Sequence, residues 1–187
     1  SEEPSKNDPS VMVKVIRLRN PGTVITFTDL IRGDITFDTT ELKDFVIARS
    51  ETDPLYHFAV VMDDHDMGVT HVIRGEDHIS NTPRQILIQE ALGFARPQYA
   101  HYPLHLGADK SKLSKRTGDV AVKSYREKGF LPAALLNYIA HLGWTPPSGR
   151  EIMALDEMVA EFDISDLHKS GAVFDMEKLR WYNREYL

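Results

Sequence analysis

Val69-Thr70-His71-Val72-Ile73-Arg74-Gly75-Glu76-Asp77-His78, followed by Ser80-Asn81-Thr82-Pro83-Arg84-Gln85, is the stretch from which the fold is read. Val69 to Ile73 is a short apolar run, the pattern of a strand buried on both faces, and Arg74 to His78 form a charged tip directly behind it. Thr82 is then expected to cap a helix. Pro83 suits the first helical position, Gln85 completes a capping box, Leu87, Ala91 and Leu92 supply an apolar face, and Gly93 ends it. Strand, polar tip and capped helix make a nucleotide-binding α/β unit, in which ligands sit beyond the carboxyl ends of strands.

Upstream, Tyr56 to Met62 is a nearly continuous apolar run and predicts a second buried strand, joined to the first through the polar turn Asp63-Asp64-His65-Asp66. Before it, Val13, Val15 and Arg17 alternate with Lys14, Ile16 and Leu18. Asn20-Pro21-Gly22 then turns the chain into Val24-Ile25-Thr26-Phe27, which predicts a hairpin. Ile35-Thr36-Phe37 and Phe45-Val46-Ile47 add two short strands. Residues 1 to 10 hold no large apolar side chain and carry Pro4, Asn7, Asp8 and Pro9, so a loop or frayed lead is expected.

Downstream the period becomes helical. Leu131 to Leu142 carries Leu135, Ile139 and Leu142 on one face and stops at Gly143-Trp144 before Pro146-Pro147. Leu155, Met158, Val159 and Phe162 repeat the spacing, and Asp175 is placed to cap a last helix through Leu179 and Tyr182.

Between these regions lies Lys110-Ser111-Lys112-Leu113-Ser114-Lys115-Arg116, flanked by Gly107 and Gly118. Ammonium groups offset phosphoryl charge, Ser111 and Ser114 can donate hydrogen bonds, and Leu113 is an apolar anchor. Taken alone, the composition equally describes a solvated basic loop.

The 187 residues are 42% hydrophobic and 27% charged, ordinary for one or two domains with a real core. No run reaches the length of a membrane span. Zero cysteines exclude disulfides and thiolate metal sites within the chain and fit a cytosolic protein. The formal charge of -6 argues against indiscriminate nucleic-acid binding, so any RNA contact must be local. Two metal-like constellations are discounted. Pro103 interrupts the helix that His101 and His105 would need, and Asp63, Asp64 and Asp66 are better explained as a polar turn.

In order and spacing, Tyr56-His57-Phe58 leading to Asp63-Asp64, the Arg74 to His78 tip and Lys112-Leu113-Ser114-Lys115-Arg116 resemble the second half of the catalytic domain of bacterial-type glutamyl-tRNA synthetases, which are class I aminoacyl-tRNA synthetases. The last five residues match the class signature KMSKS; Arg116 departs from its terminal serine and resembles the glutamate-specific branch. The resemblance extends from about Val13 to the C-terminus. It implies an α/β fold. A flexible lead (1–10) and the end of an inserted acceptor-stem-binding module (11–55) would precede the second half of a Rossmann-like nucleotide-binding domain (56–118), and a helical, stem-contact junction (119–187) would follow.

The implied activity is ATP-dependent conversion of glutamate to glutamyl-adenylate and transfer to the 3′ end of tRNA(Glu). Magnesium would arrive with the ATP phosphates, no zinc site is expected in this chain, and the parent would be a monomeric cytoplasmic enzyme. By the same resemblance Lys115 stabilises the transition state and the departing pyrophosphate, with Lys112 as helper and Ser114 as donor. Leu113, Arg116, Asp77, His78, His105 and Leu106 complete the ATP site, the last two through backbone groups, and Tyr56 and Arg74 hold glutamate. The residues themselves leave other roles open: a core aromatic for Tyr56, a salt bridge to Glu76 or Asp77 for Arg74, and a turn or cap for Asp77 and His78.

The first ATP signature of the class, His-x-Gly-His, is nowhere in the sequence, and the chain opens Ser1-Glu2-Glu3-Pro4 without methionine. A fragment with a partial site is therefore expected, unable by itself to aminoacylate efficiently. Two other readings compete. One is a paralogue that transfers glutamate to a queuosine base, against which the tail Phe174 to Trp181 speaks; the other is a non-catalytic tRNA-binding scaffold, against which the intact basic loop speaks.

Overall fold

The computed structural model describes residues 2–4, 12–107, 109–113 and 121–187. The chain is α/β, strand-rich first and helical later, and divides into two compact units: Ser1–Ile73 with His78–Ala100, and Arg74–Asp77 with His101–Leu187. No helix among the described residues is long and apolar enough to cross a membrane.

In the first unit, β1 (Glu2–Pro4) pairs antiparallel with β2 (Met12–Lys14), where composition alone suggested a frayed lead. Strand pairing is satisfied by backbone groups and does not require large side chains. β3 (Ile16–Leu18), β6 (Phe45–Ser50) and β7 (Asp53–Pro54) form a three-stranded antiparallel sheet in the order β3-β6-β7. The expected hairpin between β3 and the strand after Asn20-Pro21-Gly22 is therefore corrected. That next strand, β4 (Val24–Asp29), belongs to another sheet and pairs with β5 (Gly33–Asp38) from Val24↔Asp38 to Asp29↔Gly33. The turn at Asn20 serves a different purpose. Asn20 Nδ2 donates to the Thr39 carbonyl at 2.6 Å and its N–H donates to Asp44 Oδ1 at 2.8 Å, which ties two loops together.

β4 alternates strictly, burying Ile25, Phe27 and Asp29. Asp29 sits at the β4–β5 turn, its Oδ1 accepting from the N–H groups of Ile31 and Arg32 at 3.0 Å each. Gly33, at φ 79, permits the left-handed backbone of that turn. The four-stranded sheet runs β5-β4-β9-β8, with β8 at His71–Gly75 and β9 at Gln98–Tyr102. β4 and β9 meet in parallel at Asp29↔Tyr99.

Tyr56 to Met62 is not a strand. It opens α1 (Tyr56–Asp66), and Asp63 to Asp66 continue the helix instead of forming a turn. A short apolar run does not distinguish the two periods, and only Val61 of this helix is buried. β8 is a strand as expected and lies at the edge of its sheet, but none of its residues is buried, and Ile73 is 59% exposed.

α2 (Thr82–Leu92) ends at Gly93 with φ 70, as the sequence predicts. Its cap differs. Asn81 is the N-cap without a side-chain bond, Pro83 lies inside the first turn, and Gln85 is buried instead of closing a capping box. The core gathers Ile25, Phe27, Phe45, Val61, Ile86, Leu87, Ile88 and Tyr99. Each such buried side chain contributes roughly 1.5–3 kcal/mol of transfer free energy.

The second unit contains α3 (Val122–Glu127), α4 (Pro132–Gly143), α5 (Leu155–Glu161) and α6 (Met176–Glu185). α4 and α6 close on Tyr125, Ala134, Leu135, Tyr138, Leu142, Leu179 and Tyr182. Ile139, expected on the apolar face, is 39% exposed, while polar Asn137 is fully buried. Asn137 Oδ1 accepts from the Met153 N–H at 2.9 Å and from the Tyr186 hydroxyl at 2.7 Å, which repays its burial.

Asp175 caps α6 as expected, Oδ1 accepting from the N–H groups of Glu177 and Lys178 at 2.8 and 3.2 Å. Asp175→Ala is expected to lower stability by about 1 kcal/mol in urea unfolding, whereas Asp175→Asn should stay near wild type.

Candidate nucleotide site

The polar tip and the root of the basic loop are neighbours within the second unit. Glu76 Oε1 accepts the Leu104 N–H at 3.1 Å, which fastens the tip to the segment leaving β9. Along that segment Leu106 lies between two partners. It bridges antiparallel to Lys112 on one side and parallel to Val173 on the other. Its N–H donates to the Ala172 carbonyl at 3.0 Å and its carbonyl accepts from the Phe174 N–H at 2.8 Å. The Leu113 N–H donates to the His105 carbonyl at 2.9 Å, and Gly107 N–H to Ser111 carbonyl at 2.8 Å. The loop entry is thus a short ladder anchored on the residues that lead into Asp175 and α6.

Leu113 is half-buried. With His105, Val122, Tyr125, Leu135 and Phe174 it lines a cavity of about 130 Å³. Lys110 adopts φ 62, a left-handed turn that is closed by the Lys110 N–H to Gly107 carbonyl bond at 2.9 Å. Beside it, the Ser111 hydroxyl and then its backbone N–H bond Asp109 Oδ1 and hold that carboxyl below its ordinary range.

Lys112 Nζ stands 2.6 Å from Asp77 Oδ2. Both side chains are substantially solvated, at 57% and 39%, so the pair contributes only about 0.2–1 kcal/mol. Residue 75 beside it is glycine, and a Cβ there would come 2.5 Å from Asp77 Oδ1.

Arg74, at the end of β8, donates from Nε to Nε2 of His101 at 3.2 Å. His101 is fully buried on β9, and its Nε2 accepts that bond and orients the guanidinium. His105 packs edge-on against Tyr102 with centroids 5.4 Å apart, and burial pushes its imidazole below the usual range, leaving it neutral at pH 7.

The remaining predicted residues lie in the first unit. Tyr56, the first residue of α1, is 51% exposed in this chain and faces His78 at 6.2 Å between ring centroids. Asn81 Nδ2 and Thr82 Oγ1 hold His78, the former at its Nδ1 (3.1 Å) and the latter at its carbonyl (3.4 Å). Ser114, Lys115 and Arg116 lie outside the described residues.

Four contributors were not legible: Glu76, His101 in its contact with Arg74, the Asp77–Lys112 pair, and the bridge from Leu106 to Val173. The first was within reach, being part of the same charged tip. The others depend on which distant segments pair.

With this geometry in place, comparison with known proteins is informative. Residues 1–181 match the family of class I tRNA synthetases (E and Q), catalytic domain. Glutamate–tRNA ligase of Aquifex aeolicus is 55% identical over 174 residues, 92% of this chain and 37% of that protein. The ligase of Sulfurihydrogenibium sp. is 52% identical over 92% of this chain and 36% of its own length. A crystal structure of a glutamate tRNA ligase from Elizabethkingia meningosepticum, in complex with its amino acid, superimposes with a TM-score of 0.84 at 40% identity, over 92% of this chain and 38% of the other. The chain spans a little over a third of the length of the curated relatives it matches.

Proposed function

The chain belongs to the class I tRNA synthetase family for glutamate and glutamine, and from that premise we propose that it forms part of an ATP-dependent glutamate–tRNA ligase. The observation that supports glutamate over glutamine is the 55% identity to a glutamate–tRNA ligase across 92% of the chain. ATP with its magnesium, glutamate and tRNA(Glu) are the substrates, and the work takes place in the cytoplasm, in a monomeric enzyme.

In the first step a glutamate carboxylate oxygen attacks the α-phosphorus of ATP, and the bond to the bridging oxygen of pyrophosphate breaks. In the second, the 3′-terminal ribose hydroxyl of tRNA attacks the mixed anhydride and AMP departs. Neither step forms a covalent bond to the protein, so positioning and charge stabilisation carry the rate. Arg74, oriented by His101, binds a glutamate carboxylate in bidentate fashion, and Tyr56, with its solvent-facing phenol, is assigned to glutamate by the resemblance. Lys112, Ser114, Lys115 and Arg116 gather on the phosphates, with Lys115 taking the charge that develops on pyrophosphate. His78 and the backbone groups of His105 are assigned to adenosine. Leu113 and Leu106 hold the loop's entry, the latter with its N–H already committed to Ala172.

Lys115→Ala in the complete enzyme is expected to lower the rate of glutamylation of tRNA(Glu) by about 10²–10³-fold, the usual cost of removing one transition-state charge partner. Retention of more than half the wild-type rate would sink this assignment.

A further inference from the structure

The sequence suggested that Asp77 approaches the adenosine of ATP, but in the structure its carboxylate is on Lys112. We propose that Asp77 is a positioning residue that competes with the ATP phosphates for Lys112: it parks the ammonium at rest, yields it when the triphosphate arrives, and takes it back as pyrophosphate leaves. This inference rests on the proposed nucleotide site.

Three features of the geometry carry it. Both ends of the pair are fixed on one segment, Asp77 on a tip held by Glu76 to Leu104, and Lys112 on the ladder with Leu106 two residues on. The ammonium therefore meets the carboxylate without any part of the loop beyond residue 113. Gly75 leaves room for the Asp77 carboxylate where it stands, since a Cβ at 75 would come 2.5 Å from its Oδ1 and the carboxylate would have to shift. The pair is also half in water, where a single carboxylate holds an ammonium weakly, and a triphosphate with several charges and bidentate oxygens displaces it. A deeply buried pair could not exchange in this way without a large desolvation cost.

The competing roles for Asp77 predict opposite signs. A carboxylate that bonded the ribose of ATP would, on becoming an amide, weaken ATP binding. A carboxylate that competes with ATP for Lys112 would, on becoming an amide, strengthen it, and would strengthen pyrophosphate binding by the same factor. An amide keeps the shape and can still accept a hydrogen bond, so the charge is what changes.

The experiment measures KM for ATP and inhibition by inorganic pyrophosphate during glutamylation of tRNA(Glu) by the complete enzyme. Asp77→Asn is expected to lower both KM and the pyrophosphate inhibition constant about 2–5-fold, the range an exposed pair supports. Gly75→Ala, which displaces the carboxylate while keeping its charge, should move both constants the same way. In a Lys112→Ala background Asp77→Asn should have no effect on either, as a double-mutant cycle requires. A rise in KM for ATP with Asp77→Asn, or an undiminished effect without Lys112, overturns the competition. If Lys112→Ala itself leaves KM for ATP unchanged, the nucleotide-site assignment fails as well.

Discussion

Gly171→Ala is expected to destabilise the helical unit by about 3 kcal/mol. A Cβ at this position collides with the backbone carbonyl oxygen of Leu104 and comes within 3.5 Å of Leu106 Cγ. A carbonyl in a paired segment has no rotamer by which to yield, so one of the two backbones must move. Moving it strains the Leu106 N–H to Ala172 and Phe174 N–H to Leu106 carbonyl bonds, each of which contributes about 1 kcal/mol net. Because Leu106 also bridges Lys112, the shift reaches the root of the basic loop. Urea unfolding of the chain tests the stability term, and the proposed activity should fall in the complete enzyme carrying the same substitution. An unfolding midpoint equal to wild type would show that the two segments can separate freely and that the close approach is unimportant.

Gly171 also marks the boundary of what the sequence discloses. Local chemistry was readable: β8, its charged tip, the Gly93 stop of α2, the span of α4 and the Asp175 cap all depend on residues a few positions apart. Non-local pairing was not. β3 pairs with β6, nearly thirty residues on, while the intervening β4 and β5 pair with each other, and nothing in Asn20-Pro21-Gly22 distinguishes a hairpin turn from a loop tie. The error at α1 has another cause: a run of seven residues, apolar except for His57, fits either period, and the deciding feature is that Asp63 to Asp66 extend the run to helical length. At the site, the sequence identified Arg74, Asp77 and Lys112 individually. It could not show that Asp77 meets Lys112, or that Arg74 meets His101, because both contacts follow from segments more than twenty-five residues apart.

Arg74→Lys is expected to reduce kcat/KM for glutamate by about 10²–10³-fold in the complete enzyme while changing KM for ATP less than about 3-fold. The substitution keeps the positive charge, so a loss would report geometry and not simple attraction. A guanidinium presents two parallel N–H donors to a carboxylate while its Nε is held elsewhere, and the bond to buried His101 supplies that hold. An ammonium at 74 cannot donate to His101 and to both carboxylate oxygens in one plane, so it is neither oriented nor bidentate. Charge-assisted hydrogen bonds in partly desolvated sites contribute about 1.5–3 kcal/mol each, which is the origin of the expected factor. The loss should be confined to the amino acid, because the phosphates are assigned to the loop lysines and not to the end of β8. If Arg74→Lys instead raised KM for ATP and spared glutamate, Arg74 would belong with the phosphate-binding cations, and the division of labour between strand end and loop would have to be reversed.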